Sequence, residues 1–594
     1  MKTICIQLVL FFLAVTGNKS YGQQKTYCNP INIDYGYTPI PDFTKWGKHR
    51  ATADPVIVNY KGDYYLFSTN QWGYWWSSDM SDWHFISRKF LRPWNKNTYD
   101  ELCAPAVGII GDTMIVFGST YTSNFTIWMS TNPKTNEWKP LVDSFSIGGW
   151  DPAFFTDDDG KLYMYNGSSN RYPTYGIELN RKTLQPIATR TPMYLLEDWR
   201  YGWQRFGENM DNTFLDPFIE GSWMTKHNGK YYYQYGAPGT EMSGYADGVV
   251  VGNKPLFDGA ETIPQSDPLS MKLGGFARGA GHGSTFQDHY KNWWHVSTIR
   301  ISVKNNFERR IGIWPAGFDK DDVMWCNTAF GDYPHYLPSA YNSELQLRSY
   351  SHTYGSGFTG WMLLNYNKPV TVSSTLSDYN ANNAVDENIK TYWSAATDHK
   401  GEWIESDLGT ISTVNAIQIN YADQDAEFLG KSLDVYHQYI LYYSLDGKKW
   451  KILMDKSENK TDIPHEYIEL TSPVQARFIK LENIHMPTGK FAISGLRIFG
   501  HGIGSKPNPV TDFMILRTEK DKRSAWIRWR PVENAYAYNI YYGTDPGKLY
   551  NCIMVYDDNE YWFKAMDSKK TYYFTIEAIN ENGTSEKYKI IKVE

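Results

Sequence analysis

Five segments of this chain repeat one plan, and that repetition narrows the choice of fold more than any other feature. They read ADPVIVNYKGDYYLFST from Ala53, APAVGIIGDTMIVFGST from Ala104, DPAFFTDDDGKLYMYNG from Asp151, EGSWMTKHNGKYYYQYG from Glu220 and GHGSTFQDHYKNWWHVST from Gly281. Each is a short lead, a strand, a turn rich in Gly, Asp or Asn, and an aromatic strand. In the third copy Asp157, Asp158, Asp159 and Gly160 suit a tight hairpin, because Asp and Gly tolerate the positive φ angles such turns need. The copies lie about 50 to 70 residues apart, which leaves room for four-stranded units with insertions. WWSSDMSDWHFI and IWMSTNPKTNEWK fit the outer strands of the first two units. Five such units around one axis predict a five-bladed β-propeller, whose strand edges are short and protected. Composition agrees: 16 % of residues are aromatic, with 23 Trp and 46 Tyr, and these types favour strands. The expected class is all-β.

The innermost strand of a propeller blade starts near the axis, so the first residues of the five strands share one cavity. Those residues are Asp54, Ala104, Asp151, Glu220 and His282. A lone Asp-Pro pair reads as a strand cap. Three acids at repeated positions do not, because like charges are costly to gather in a cavity unless chemistry needs them.

The motifs ADPVIVNYKGDYYLF, DPAFFTDDDGKLYMY, IEGSWMTKHNGKYYYQY and GAGHGSTFQD, in this order, resemble the catalytic domain of glycoside hydrolase family 43 over residues about 27 to 340. The resemblance implies an inverting hydrolase in which Asp54 is the general base, Glu220 the general acid and Asp151 the acid that keeps Glu220 protonated. Inversion places a water between base and sugar, with the two working carboxyls roughly 6.5–9.5 Å apart. Arg309 in FERRIGIW matches a substrate-binding arginine, with its neighbour Arg310 pointing the other way on a strand or the pair reversed. His282 is either an axial residue for a water network or calcium ion, or a packed histidine. Trp150, and Trp199, Trp203 and Phe206 in WRYGWQRFGENMDN, are candidate sugar platforms; Cys103 stands where the family often has an aromatic.

The implied activity is an exo-acting glycosidase on plant polysaccharide side chains, led by α-L-arabinofuranosidase. β-Xylosidase, arabinanase or galactanase are alternatives with the same acids, and a non-catalytic carbohydrate-binding protein is an alternative of another class. A sialidase would need an arginine cluster and a tyrosine nucleophile where this chain has carboxylates. No cofactor is required, beyond a structural calcium ion that similar proteins sometimes hold. A net charge of -6 without a basic stripe excludes nucleic acid as an expected partner.

The flanks complete the plan. Residues 1–22 read as a secretory signal peptide, with an apolar stretch from Ile4 to Val15 too short to span a bilayer. Export and cleavage near Gly22 are expected, leaving Cys28, Cys103, Cys326 and Cys552 as buried thiols. The propeller is assigned 23–340 and a linker 341–367. Residues 368–501, with NAVDENIKTYWSA and FAISGLRIFG, resemble a discoidin-like (F5/8 type C) sandwich of the carbohydrate-binding kind. Calcium there would rest on Asp386, Thr391 and backbone carbonyls, because Gly495 stands where an acid is expected. Residues 506–594 resemble a fibronectin type III domain with Trp529 in its core and Tyr572 or Tyr573 at its corner, in the role of a spacer.

Overall fold

Asp and Gly turns and alternating aromatic strands fold into the repeated four-stranded sheets expected of them. The computed structural model describes residues 25–594 apart from 39–40, 70–72, 89–101, 120–125, 144, 146–148, 258–261, 302–303, 339–356 and 432–433. The signal peptide lies outside the described residues. Blade one runs Ala53–Tyr60, Asp63–Thr69, Gly73–Ser77 and His84–Ser87; blade two runs Cys103–Ile110, Thr113–Ser119, Ile127–Asn132 and Glu137–Val142. Blade three runs Ala153–Thr156, Leu162–Asn166, Thr174–Leu179 and Thr191–Tyr194; blade four runs Glu220–His227, Lys230–Ala237, Ala246–Gly252 and Ile263–Pro264. Blade five runs Arg278–Gln287, Trp293–Arg300, Arg309–Phe318 and Met324–Cys326. The innermost strands touch in turn, and that of blade five closes back on that of blade one. The ring is a five-bladed propeller.

The N-terminal segment helps shut the ring: the Asn29 side chain and the Ile313 backbone exchange hydrogen bonds, while Trp75 of blade one donates to Asp34. Cys28, Cys103, Cys326 and Cys552 are buried thiols.

The second domain is a sandwich in which two long strands, Trp403–Tyr421 and His465–His485, bend across both layers at bulges. It starts earlier than the boundary at 368: Met362 and Leu363 already pair with Gly500 and Phe499, and Leu364 sits in its core. The reason is hydrophobic, since a Trp-Met-Leu-Leu run cannot stay in a solvated linker.

The third domain packs one sheet of Thr511–Arg517, Ala525–Arg530 and Glu560–Phe563 on another built from Asn551–Tyr556, Ala537–Gly543, Tyr572–Asn580 and Ile591–Val593. Trp529 is buried between them, and the Tyr572 hydroxyl accepts the N–H of Asp567. The strand Lys272–Leu273 lies beside the start of blade five and also pairs in parallel with Cys552 and Ile553. The fifth blade and the last domain therefore share one continuous sheet.

Candidate active site

Each innermost strand opens with a register break against its neighbour. Ala53 pairs Thr69 and the next pair is Val56 with Phe67; Cys103 pairs Ser119 before Ala106 with Phe117. Gly281 pairs Thr298 before Ser284 with Val296, and Glu220 pairs Gly236 before Trp223 with Gln234. The residue that begins each bulge has positive φ: Asp54 at 53°, Ala104 at 44°, Asp151 at 56°, Gly221 at 64° and His282 at 47°. Left-handed backbone at four non-glycine positions around one axis is strain held in place by the fold.

Hydroxyls hold the bulges. The N–H of Asp54 donates to Thr298 Oγ1 of blade five, that of Ala104 to Thr69 of blade one, and that of Asp151 to Ser119 of blade two. Thr69 and Ser119 end the second strands of their blades and Thr298 stands two places before the end of its own, the Ser and Thr visible in YYLFST, VFGST and HVST. Blades three and four carry Gly167 and Gly236 there instead.

One equivalence drawn from the sequence is thereby corrected. The residue matching Asp54, Asp151 and His282 is Gly221, and Glu220 stands one place earlier. The cause lies in the next blade: a Cβ on Gly221 would stand 2.7 Å from Cγ of His282. Glu220 is held by other donors, Tyr245 Oη at 2.6 Å from Oε1 and Ser168 Oγ at 3.2 Å from Oε2. Neither residue carries a motif of its own in the sequence.

The acids, the histidine and Arg309 meet. His282 Nδ1 is 3.2 Å from Asp54 Oδ1 and 3.8 Å from Asp151 Oδ2. Arg309 Nη1 lies 3.8 Å from Asp54 Oδ1 and donates to Thr240 Oγ1 at 2.8 Å. Arg310 turns away, its Nε donating to His465 Nε2 of the second domain at 2.7 Å. Behind His282, the Gly283 N–H donates to the buried Asp247, which also meets His295 Nε2 at 2.9 Å.

The electrostatics separate the carboxyls. Burial pushes Asp54 up, yet His282, Arg309, Thr69 and Thr298 outweigh it and hold it below the usual carboxylate range. Burial raises Asp151 to about 8, helped by the charges of Glu220 and Asp54 against the pull of His282. Burial likewise raises Glu220, opposed by His282 and the Tyr245 hydroxyl. Asp151 and Glu220 thus form a pair that retains a proton while Asp54 is ionised. Burial pulls His282 down, but Asp54, Asp151, Glu220 and Asp247 raise it overall. An ionised base, a proton-holding pair and fixed cations are the parts of acid–base hydrolysis across a bound water.

The aromatic candidates part company. Trp150, the residue before Asp151, is 40 % exposed. Trp199 is also exposed, with Lys569 of the third domain 4.7 Å from its ring centre. Trp203 is excluded as an open platform: it is fully buried, stacked on Tyr235, with Nε1 donating to Ser266 O. The stretch around it does different work. Arg200 forks onto Asp567, Arg205 meets Asp521 at 2.6 Å and Asp211 meets Lys564 at 2.6 Å, so this insertion seats the third domain.

Calcium finds a poor donor set. In the second domain Asp386 Oδ1 accepts the Asn388 N–H and Oδ2 the Thr391 hydroxyl, while neighbouring Glu387 forks onto Arg497. At Gly495 a Cβ would meet the ring of Phe276 from the propeller at 2.8 Å, so the place of the expected acid is taken by interdomain packing. Six to eight oxygen ligands are not assembled there. On the axis, His282 is driven toward its protonated form, which has no lone pair to offer a cation.

Residues 48–324 match the profile "Glycosyl hydrolases family 43" and residues 369–494 the profile "F5/8 type C domain". A β-xylosidase of Xylanibacter ruminicola is 30 % identical over 184 residues, 26 % of this chain and 54 % of that protein. A xylosidase/arabinosidase of Humicola insolens is 30 % identical over 136 residues, 17 % of this chain and 38 % of that protein. The chain thus spans about half the length of these curated relatives, or less. A solved structure described as a glycoside hydrolase aligns at 18 % identity with a TM-score of 0.42, covering 78 % of this chain and 99 % of that one. The bulged, acid-lined propeller axis thus lies within the residues that match glycosyl hydrolases family 43, and the F5/8 type C match follows it in the chain.

Proposed function

We propose that the protein is an inverting, exo-acting glycoside hydrolase that removes side-chain sugars from plant polysaccharides, with α-L-arabinofuranosidase as the leading activity. The observation that carries this reading is the split between Asp54, held ionised, and the Asp151–Glu220 pair, held protonated, within one buried cavity. In the proposed reaction Asp54 takes a proton from water as that water attacks the anomeric carbon. Glu220 gives its proton to the departing oxygen, and Asp151 keeps that proton available by disfavouring a second negative charge. Arg309 and Trp150 supply a hydroxyl donor and a ring face to the sugar. A β-xylosidase is the second reading, favoured by the name of the Xylanibacter ruminicola relative.

The same proposal takes the protein to be exported after cleavage near Gly22, to require no cofactor, to bind no nucleic acid and to have no membrane span. No helix among the described residues is long and apolar enough to cross a membrane. The last domain is proposed to be a fibronectin type III module, on the strength of its three-strand and four-strand sheets and the Tyr572 corner.

Hydrolysis of aryl α-L-arabinofuranoside against aryl β-D-xyloside decides the sugar, and proton NMR of the first product decides the stereochemistry. Inverted product from one of the two glycosides is expected. Retained configuration overturns the roles of Asp54 and Glu220. Binding of plant oligosaccharides without cleavage of any glycoside turns the protein into a carbohydrate-binding protein.

A further inference from the structure

All three domains meet around one cavity of about 670 Å³, apart from the acids at the axis. The propeller contributes Glu208, Ser243 and Arg278, the second domain Lys390, and the third domain Tyr561 and Trp562. Its walls are built. Glu208 accepts from both the N–H and the hydroxyl of Ser243 and pairs with Arg300 at 2.6 Å and Lys390 at 3.2 Å. Burial pushes its carboxyl up, yet Ser243 and Arg300 bring it down to about 2.

Arg278 is different. Its Nε donates to Gly275 O at 3.3 Å, and among the described residues no ion pair holds the guanidinium. The Tyr561 ring and Trp562 line the same cavity. Trp562 contacts Trp526 at 4.2 Å between ring centres on the outer face of the third domain, with Leu516 next in register and 53 % exposed. An aromatic ridge therefore leads out of the cavity mouth.

We infer that this cavity is a second glycan-binding site, one that holds a neutral oligosaccharide chain away from the catalytic axis. The inference rests on the glycosidase reading above. Three of the five lining acids, Glu208, Glu387 and Glu560, are already paired with Arg300, Arg497 and Arg528, so the cavity presents no concentrated charge that would select an ion. Open guanidinium donors beside a fixed carboxylate, together with partly exposed rings, are the combination that suits sugar hydroxyls and the C–H faces of pyranoses. The cavity is also joined to the axis by one short turn. Ser243 and Gly244 line it, the next residue Tyr245 donates to Glu220, and Thr240 of the same turn accepts from Arg309. A polymer seated in the cavity can thus present a branch to the acids.

The test uses the full chain with xylohexaose and branched arabino-oligosaccharides as probes. In an Asp54→Asn background, calorimetry measures binding of each; in the active protein, KM on the oligosaccharide is set against kcat/KM on the aryl monoglycoside. Trp562→Ala and Arg278→Leu are expected to weaken oligosaccharide binding about tenfold, to raise KM on oligosaccharide alike, and to leave the aryl substrate within about twofold. Tyr561→Phe keeps the ring and shows a smaller change of the same kind. Unchanged oligosaccharide binding in Trp562→Ala, or a loss shared equally with the aryl substrate, overturns the inference and makes the cavity a solvent-filled seam. A wild type that cleaves no aryl glycoside overturns the glycosidase reading instead, while the binding arm still reports on the cavity.

Discussion

Asp151 and Asp462 are buried to a similar degree, yet their protons behave in opposite ways. Asp151, on the propeller axis, is raised to about 8 by burial and by two neighbouring acids. Asp462, in the seam between propeller and second domain, is also pushed up by burial, but Arg50, His437 and Lys431 carry it well below the usual range. Arg50 Nη1 is 2.5 Å from Asp462, and its Nε is 3.4 Å from Asp423; His437 Nδ1 is 3.2 Å from Asp462. The seam matches its buried charges with opposite ones. The axis compensates Asp54 but leaves the Asp151–Glu220 pair under-compensated, and adds left-handed backbone on top. Charge arranged for cohesion and charge arranged for proton transfer are thus distinguishable by their neighbours, not by their depth.

The contrast can be broken from either side. The largest effect is expected at the axis: Asp54→Asn removes the proposed base, and kcat should fall by about 10²–10⁴-fold with no drop in the unfolding midpoint. Equal activity in this variant would remove Asp54 from the reaction. Next comes the seam. Arg50→Met leaves Asp423 and Asp462 buried without their main cation and should cost about 3–5 kcal/mol in chemical denaturation, with the pH profile of the surviving activity unchanged in shape.

Asp151→Asn should act in the opposite direction on stability. The folded carboxyl titrates near 8 and the unfolded one near 3.9, so the folded wild type binds the extra proton between these values. Its contribution is fully present below about 4 and is lost as pH rises toward 8. The variant should therefore be more stable than wild type at pH 8, by at least about 1.4 kcal/mol, the equivalent of one pKa unit. The alkaline limb of its activity should move to lower pH, since Glu220 loses a like charge. A variant that is less stable at pH 8 would show Asp151 to be compensated as Asp462 is. The smallest effect is expected from Tyr245→Phe. The hydroxyl lowers the Glu220 pKa, so its loss should move the same limb upward, in the direction opposite to Asp151→Asn.

The repeats, their turns and the acids of three blades were all open to reading in the sequence, because each depends on neighbours within a few positions. Asp157 to Gly160 declare their own hairpin, and Trp529 declares a sandwich core. The offset at Gly221 could not be read so, since its cause is the His282 ring one blade away. Trp203 misled for a similar reason: a tryptophan beside a polar insertion looks available for sugar until Tyr235 and the docked third domain cover the region. The donors to Glu220 were invisible because Tyr245 and Ser168 approach it from separate segments. The hydroxyls of Thr69, Ser119 and Thr298 were visible as residues, but their role exists only once the blades stand in a ring.

The parallel pairing of Lys272 and Leu273 with Cys552 and Ile553 has a bearing on how such a chain can be cut or recombined. A module hung on a linker can be deleted or exchanged at little cost to its neighbour. Here deletion of the last domain would bare a β-edge beside the fifth blade and strip Asp211 and Arg205 of their counter-ions, an invitation to edge-to-edge aggregation. Heat or denaturant should accordingly melt propeller and last domain in one transition, and donor modules from other proteins should fail to substitute unless they bring the matching edge strand with them.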